Sequence, residues 1–166
     1  MAVKTILLLG NPFLRQRCKP AKNFSSRSTS ATMKNLSDTL EDFRSRHAFG
    51  RGITAPQIGS NARIIFIGLN GLGALVNPKI IKRGKKKIEL WDDCFSFPDI
   101  LVRVRRHTWV EVSYQDKTGA WKKLKATNGL SELLQHEIDH INGILAIDRA
   151  ISKKHIILRS QFGPSP

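Results

Sequence analysis

No stretch of this 166-residue chain is apolar for long enough to cross a bilayer. Its opening holds only the short run Ile6 to Leu9, too brief for a secretory signal. The chain is therefore expected to act where it is made, in the cytoplasm, with no membrane partner. Cysteine is scarce. Cys18 and Cys94 can close at most one disulfide, and with no secretory signal a disulfide framework is not expected. Cys18, within Arg17-Cys18-Lys19-Pro20, lacks chemical company and reads as a structural or incidental thiol. Acidic residues are few: 13 Asp and Glu face 28 Lys and Arg, a net charge of +15. A field of that sign attracts polyanions, with RNA or the ribosome the commonest partner in a soluble compartment. A solvated basic surface with no defined partner explains the charge equally well, since no aromatic-rich RNA motif accompanies it. Repeats, linkers and low-complexity boundaries are also absent. Residues 1–166 are expected to form one domain that buries its own core.

What is present alternates between two periodicities. Met33, Leu36, Leu40 and Phe43 follow the spacing of one buried helical stripe, with Ser30 or Thr32 as the cap and Gly50 and Gly52 as the stop. Short strand-like segments follow at 63–69, 73–77, 87–91, 101–107, 109–115 and 120–125. Asn70-Gly71 and Lys117-Thr118-Gly119 suit hairpin turns. Helical spacing returns from Gly129 to Ile141, with Leu130, Leu133, Leu134 and Ile138 on the apolar side. Helix, then antiparallel strands, then helix is an α+β pattern. From Ile151 onward a short closing helix is expected, broken near Gly163-Pro164.

The second helix carries the chemistry. Gln135-His136-Glu137-Ile138-Asp139-His140 sets two imidazoles at i and i+4, on one face of a helix of about 3.6 residues per turn. They can share one metal ion, with the Glu137 carboxylate near a bound water. An ordinary amphipathic helix with two polar neighbours is the plainer alternative. A four-coordinate site then needs one more protein ligand. Downstream, only Asp148 and His155 are available, and His155 sits in a basic stretch. Upstream, Cys94 follows a strand and offers a thiolate. Cys plus two His leaves one position open, which suits hydrolysis. Taken alone, Cys94 is equally well read as a buried, inert thiol. Gly50 to Gly59 likewise reads either as a plain glycine-rich turn or as a loop that aims the Gln57 amide.

Three segments together resemble the peptide deformylase family. Gly50-Arg51-Gly52-Ile53-Thr54-Ala55-Pro56-Gln57-Ile58-Gly59 is similar to the family's first motif, Asp92-Asp93-Cys94-Phe95-Ser96 to its second, and Gln135 to His140 to its third. Asn11 to Arg15 also resembles the family's opening segment, and the order holds from about Thr5 to Arg149. The resemblance implies a small α+β domain, with antiparallel and mixed sheets around the helix of the two histidines. It implies removal of the N-formyl group from the initiator methionine of new polypeptides. Cys94, His136 and His140 would hold Fe(II), replaceable by zinc, nickel or cobalt, with water as the fourth ligand. Glu137 would be the general base. The Gln57 amide and the Phe95 backbone N–H would face the developing oxyanion, and the backbone near Arg51 and Gly52 would align the peptide. Five residues depart from the pattern. Asp92 stands for Glu and is expected to pair with Arg106. Asp93 replaces Gly and sets a charge beside Cys94, where substrate would lie. Phe95 replaces Leu, Thr54 replaces Ala and needs a partner for its hydroxyl, and Arg51 stands where an apolar residue is common. Two other readings stay open: hydrolysis of a different N-acyl group, and a catalytically weakened basic module that binds RNA or the ribosome.

Overall fold

A computed structural model describes residues 2–24, 26–47 and 49–163. Among the described residues, two α-helices and eight strands follow one another as α1 (Arg27–His47), β1 (Gly52–Thr54), β2 (Ile64–Ile67), β3 (Gly73–Arg83), β4 (Lys87–Asp92), β5 (Ile100–His107), β6 (Trp109–Gln115), β7 (Trp121–Thr127), α2 (Asn128–His140) and β8 (Ile156–Leu158). The strands form a five-stranded sheet in the order β1-β2-β3-β6-β7 and a three-stranded sheet in the order β4-β5-β8. Every strand pairing is antiparallel, joined by one parallel bridge between Lys19 and Ala62.

Side-chain alternation puts a helix on each face of the larger sheet. Ile65, Ile67 and Leu75 turn one way, towards Leu133, Leu134 and Ile138 of α2. Their neighbours Ile64 and Val76 turn the other way, towards Leu36 and Leu40 of α1. The apolar stripe of α1 is therefore the expected one. The helix starts earlier than Ser30, however: the Ser26 hydroxyl accepts the Thr29 N–H at 3.1 Å, and Ser30 and Thr32 lie inside the helix. Its first turns are polar, so no periodicity marked them. A third apolar cluster, with Leu14, Phe97, Val102, Val104 and Leu145, lies by the smaller sheet and includes Cys94.

α2 is buried on all sides from Ser131 to His140. That is the burial of a central helix, and it is why its polar residues all need partners. The expected closing helix is corrected. After a 3-10 turn at Lys153–His155, residues Ile156–Leu158 form β8 against the exposed edge of β5. Consecutive β-branched residues suit a pleated edge better than a helix. Pro164 lies outside the described residues.

Candidate metal centre and substrate cleft

The two motif loops are laced together by the N-terminal segment. The Leu7 N–H donates to the Gln57 carbonyl at 2.8 Å, and the Leu9 N–H to the Ser96 carbonyl at 2.7 Å. Cys94 sits in the turn after β4, directly beside α2. His140 Nε2 lies 3.2 Å from Cys94 Sγ and 3.2 Å from His136 Nε2. The three donor atoms all fall within 4.8 Å of one another, and all three residues are buried. A tetrahedral cation with one thiolate and two imidazoles would set these atoms roughly 3.3–3.6 Å apart. One ring proton on His140 cannot satisfy both neighbours at once, whereas a central cation can. The donor set fits a divalent metal with an open coordination position. The other candidates are engaged elsewhere: Asp148 pairs with Arg15 and caps the Leu145 N–H, and His155 faces Ser152.

Behind the donors a chain of charged groups runs from the interior to the surface. His136 Nδ1 lies 2.9 Å from Asp92 Oδ1, a close polar contact without hydrogen-bond alignment. The other Asp92 oxygen meets Arg106 Nη2 at 2.9 Å, as expected from the sequence. Arg106 continues to Asp139 and Asp139 to Arg149. Burial opposes ionisation of Asp92, but its contacts with His136 and Arg106 outweigh it and hold the carboxyl well below its usual range. Burial, reinforced by the neighbouring His136, pushes His140 well below its usual value, towards the neutral ring that ligates. A carboxylate behind a ligand imidazole fixes its orientation. The sequence suggested the Asp92–Arg106 pair but not the contact to His136, which exists only once β4 meets α2.

Glu137 is buried, with Oε2 lacking any hydrogen-bond partner. Desolvation raises its pKa to about 7. It is tightly flanked by β1: a Cβ on Gly52 would lie 2.6 Å from Glu137 Oε1. Gln57, on the 3-10 turn after β1, has its amide oriented by Thr54. Gln57 Oε1 accepts from the Thr54 N–H at 2.9 Å and the Thr54 hydroxyl at 3.0 Å. The Gln57 NH2 is left pointing at Cys94 Sγ (3.7 Å) and Ser96 Oγ (3.3 Å). The Thr54 hydroxyl thus finds its partner. The Phe95 ring stacks on Phe43 at 3.9 Å, and no hydrogen bond from its backbone N–H is seen among the described residues.

A cleft of about 600 Å³ opens onto these groups, lined among others by Arg51, Gly52, Asp93, Glu137 and Arg159. The Asp93 charge beside Cys94 has a partner: Arg159 Nη2 meets its Oδ2 at 2.9 Å. The Arg159 guanidinium also caps the Pro98 carbonyl and lies 5.7 Å from the Phe49 ring. Arg51 forks onto Glu132 of α2 at 2.7 and 3.2 Å. Neither Arg159 nor Glu132 carried any local signal of a role, because both act only through the folded cleft.

A buried Cys-His-His donor set, an unpartnered carboxylate and an open cleft on an α+β scaffold describe a metallohydrolase. Comparison with known proteins specifies which. The profile of the polypeptide deformylase family matches residues 3–155. The chain is 32% identical to a peptide deformylase of Thermotoga maritima, over 95% of this chain and 93% of that protein. It is 37% identical to one from Heliobacterium modesticaldum, over 90% and 95%. Its fold matches the crystal structure of the Thermotoga maritima peptide deformylase with a TM-score of 0.83 at 31% identity, covering 92% of this chain and 100% of that one. It also matches a Synechococcus elongatus peptide deformylase in complex with actinonin, with a TM-score of 0.84 at 31% identity, over 93% and 82%. The chain belongs to the polypeptide deformylase family.

Proposed function

We propose that this chain removes the N-formyl group from the N-terminal methionine of newly made polypeptides, with residues 1–166 working as one catalytic domain. It is a metal-dependent deformylase. The observation that carries the proposed site is the convergence of Cys94, His136 and His140 beside an unpartnered, buried Glu137. When bound, a divalent cation there supplies Lewis acidity and eases deprotonation of water at neutral pH. Fe(II) is the proposed native ion, with zinc, nickel and cobalt as substitutes.

The chain's own groups do the rest. Glu137 takes a proton from the attacking water, whose oxygen bonds to the formyl carbon. It returns a proton to the amine nitrogen as the C–N bond breaks, releasing formate and the free peptide amine. The Gln57 NH2 and the Phe95 N–H donate to the oxygen that gains charge. β1 is an edge strand, so the peptide adds alongside Arg51 and Gly52 by main-chain hydrogen bonds. Asp93 and Arg159 wall the far side. No helix among the described residues is long and apolar enough to cross a membrane. A newly made polypeptide as substrate supports work in the cytoplasm, and the net charge of +15 supports a ribosome or rRNA contact. A catalytically silent module is not favoured, since every donor and the general base are retained in a family-wide fold.

Formate release from formyl-Met peptides, run without air on protein of measured metal content, tests this reading. Glu137→Ala should lose on the order of 10²–10⁴ in rate while metal content stays unchanged. Undiminished turnover by that variant would remove Glu137 from the mechanism. Fe(II) protein should lose activity in air and zinc or nickel protein should keep it. Equal air sensitivity of all forms would count against iron.

A further inference from the structure

We infer that the outer face of β3, β6 and β7 is a platform for single-stranded RNA. This deepens the polyanion contact proposed above and rests on that part of the reading, not on the catalytic site. In β6, Val110, Val112 and Tyr114 turn into the core, so Trp109, Glu111, Ser113 and Gln115 face the opposite way. Strand register then fixes their neighbours. Lys79, Ser113 and Lys123 lie abreast, as do Lys82, Glu111 and Lys125, and Trp121 lies opposite Gln115. All four lysines are exposed. The one acid in these rows, Glu111, is already met by Lys82 at 3.4 Å. Lys125 Nζ sits 5.2 Å from the Trp109 ring centre.

Trp121 decides what the face is for. Lysines along an edge strand are also a common protection against unwanted strand pairing, so charge alone would not identify a partner. A large exposed indole works against that protection. Trp121 is 66% exposed, the most exposed of the large hydrophobic side chains among the described residues. A flat aromatic surface among cations matches the chemistry of unpaired RNA, whose bases stack while its phosphates meet lysine. Duplex RNA keeps its bases inside and offers no such stacking. The sequence hides this pattern because Trp121 and the lysines of β3 and β7 share one face only once β3, β6 and β7 pair. α2 packs on the other face of the sheet, and none of these residues lines the cleft, so bound RNA leaves the cleft open.

The test titrates the full chain with labelled oligouridine of about ten nucleotides, within the usual site size for such surfaces. Trp121→Ala should weaken binding roughly tenfold or more, and Trp121→Phe should retain most of it. Lys123→Glu with Lys125→Glu should weaken binding and flatten its salt dependence. All these variants should release formate at the wild-type rate. Unchanged affinity in Trp121→Ala protein with normal formate release overturns the platform, as does tighter binding of duplex RNA or of anionic phospholipid vesicles. Ribosome co-sedimentation read in parallel separates the two ideas. Salt-sensitive co-sedimentation that ignores Trp121→Ala overturns the platform and leaves the ribosome contact standing. Trp121-dependent oligouridine binding without co-sedimentation supports the platform and removes the ribosome contact.

Discussion

Gly52 is the residue where the backbone of one element and the chemistry of another compete for the same space. Its φ is not left-handed, so an alanine there meets no backbone strain. The added methyl would instead meet Glu137 Oε1 at 2.6 Å, closer than real contacts allow. Gly52→Ala should therefore displace the carboxylate and cut formate release by at least about tenfold, within the range a misplaced general base costs. Circular dichroism and metal content should not change. Normal turnover in that variant would mean that Glu137 has room the geometry denies it. Asp93 and Arg159 pose the complementary question of charge. Their pair is about 40% exposed on both sides, so its direct worth to stability is under about 1 kcal/mol. Its weight falls on the cleft, where an unanswered carboxylate beside Cys94 would repel a developing oxyanion. Arg159→Ala should lower kcat/KM a few-fold, on the order of 1 kcal/mol or less. Asp93→Gly in the same chain should restore it. If the double variant stays as slow as Arg159→Ala, the guanidinium acts on substrate directly and not through Asp93.

At the scale of elements, α2 bears most of the load because it is both core and site. Leu134 has no exposed surface and packs among Ile65, Val110 and Val112, one turn from the histidines. Leu134→Ala should cost about 2–5 kcal/mol by transfer and cavity terms. Urea unfolding of the metal-loaded protein measures it, and a loss below 1 kcal/mol would mean that the cavity collapses. This helix was also the most legible part of the chain, since its apolar spacing and its His136 and His140 pattern are both local. β6 was legible for the same reason, its alternation surviving intact as burial. β3 was read as ending at Asn77, where Pro78 follows. The strand in fact continues to Arg83 through two register shifts, with Asn77 at φ 52° and its amide bonded to Ala21 and Gln115. β1 has three residues, all buried, too few to show any period. Of the cleft, the sequence named the groups proposed to carry the chemistry and missed several that pack against them. Asp92 on His136 joins β4 to α2 and Arg159 on Asp93 joins segments 66 residues apart, contacts that only the assembled fold brings together, whereas Thr54 on Gln57 is a bond within one turn.

For the molecule as a whole, Cys18 ties the N-terminal segment into the main core and sets an alkaline limit on the fold. Its N–H donates to the Ile141 carbonyl at 2.9 Å, just past the end of α2, and its side chain is buried in the α2–sheet cluster. Burial pushes the thiol up from 9.0 to about 11, against the opposing pull of Arg63. Below pH 9.0 the folded and unfolded chains both keep this proton, and the thiol's contribution is fully present. Between pH 9.0 and about 11 the unfolded chain releases it while the folded chain holds it, so stability falls as pH rises through that window. The wild-type profile sums over every titrating group, so it alone would not isolate the thiol. Cys18→Ala removes this one group. Its urea midpoint should decline less steeply above pH 9 than the wild type's, even if it starts lower from the lost packing. Parallel profiles would show that the thiol titrates alike in both states and that this part of the core admits water. The same burial should keep Cys18 unreactive to alkylating reagents at neutral pH in the folded protein, because the thiolate is the nucleophile. Mass spectrometry of the intact, metal-loaded chain would then find label at Cys18 only after unfolding.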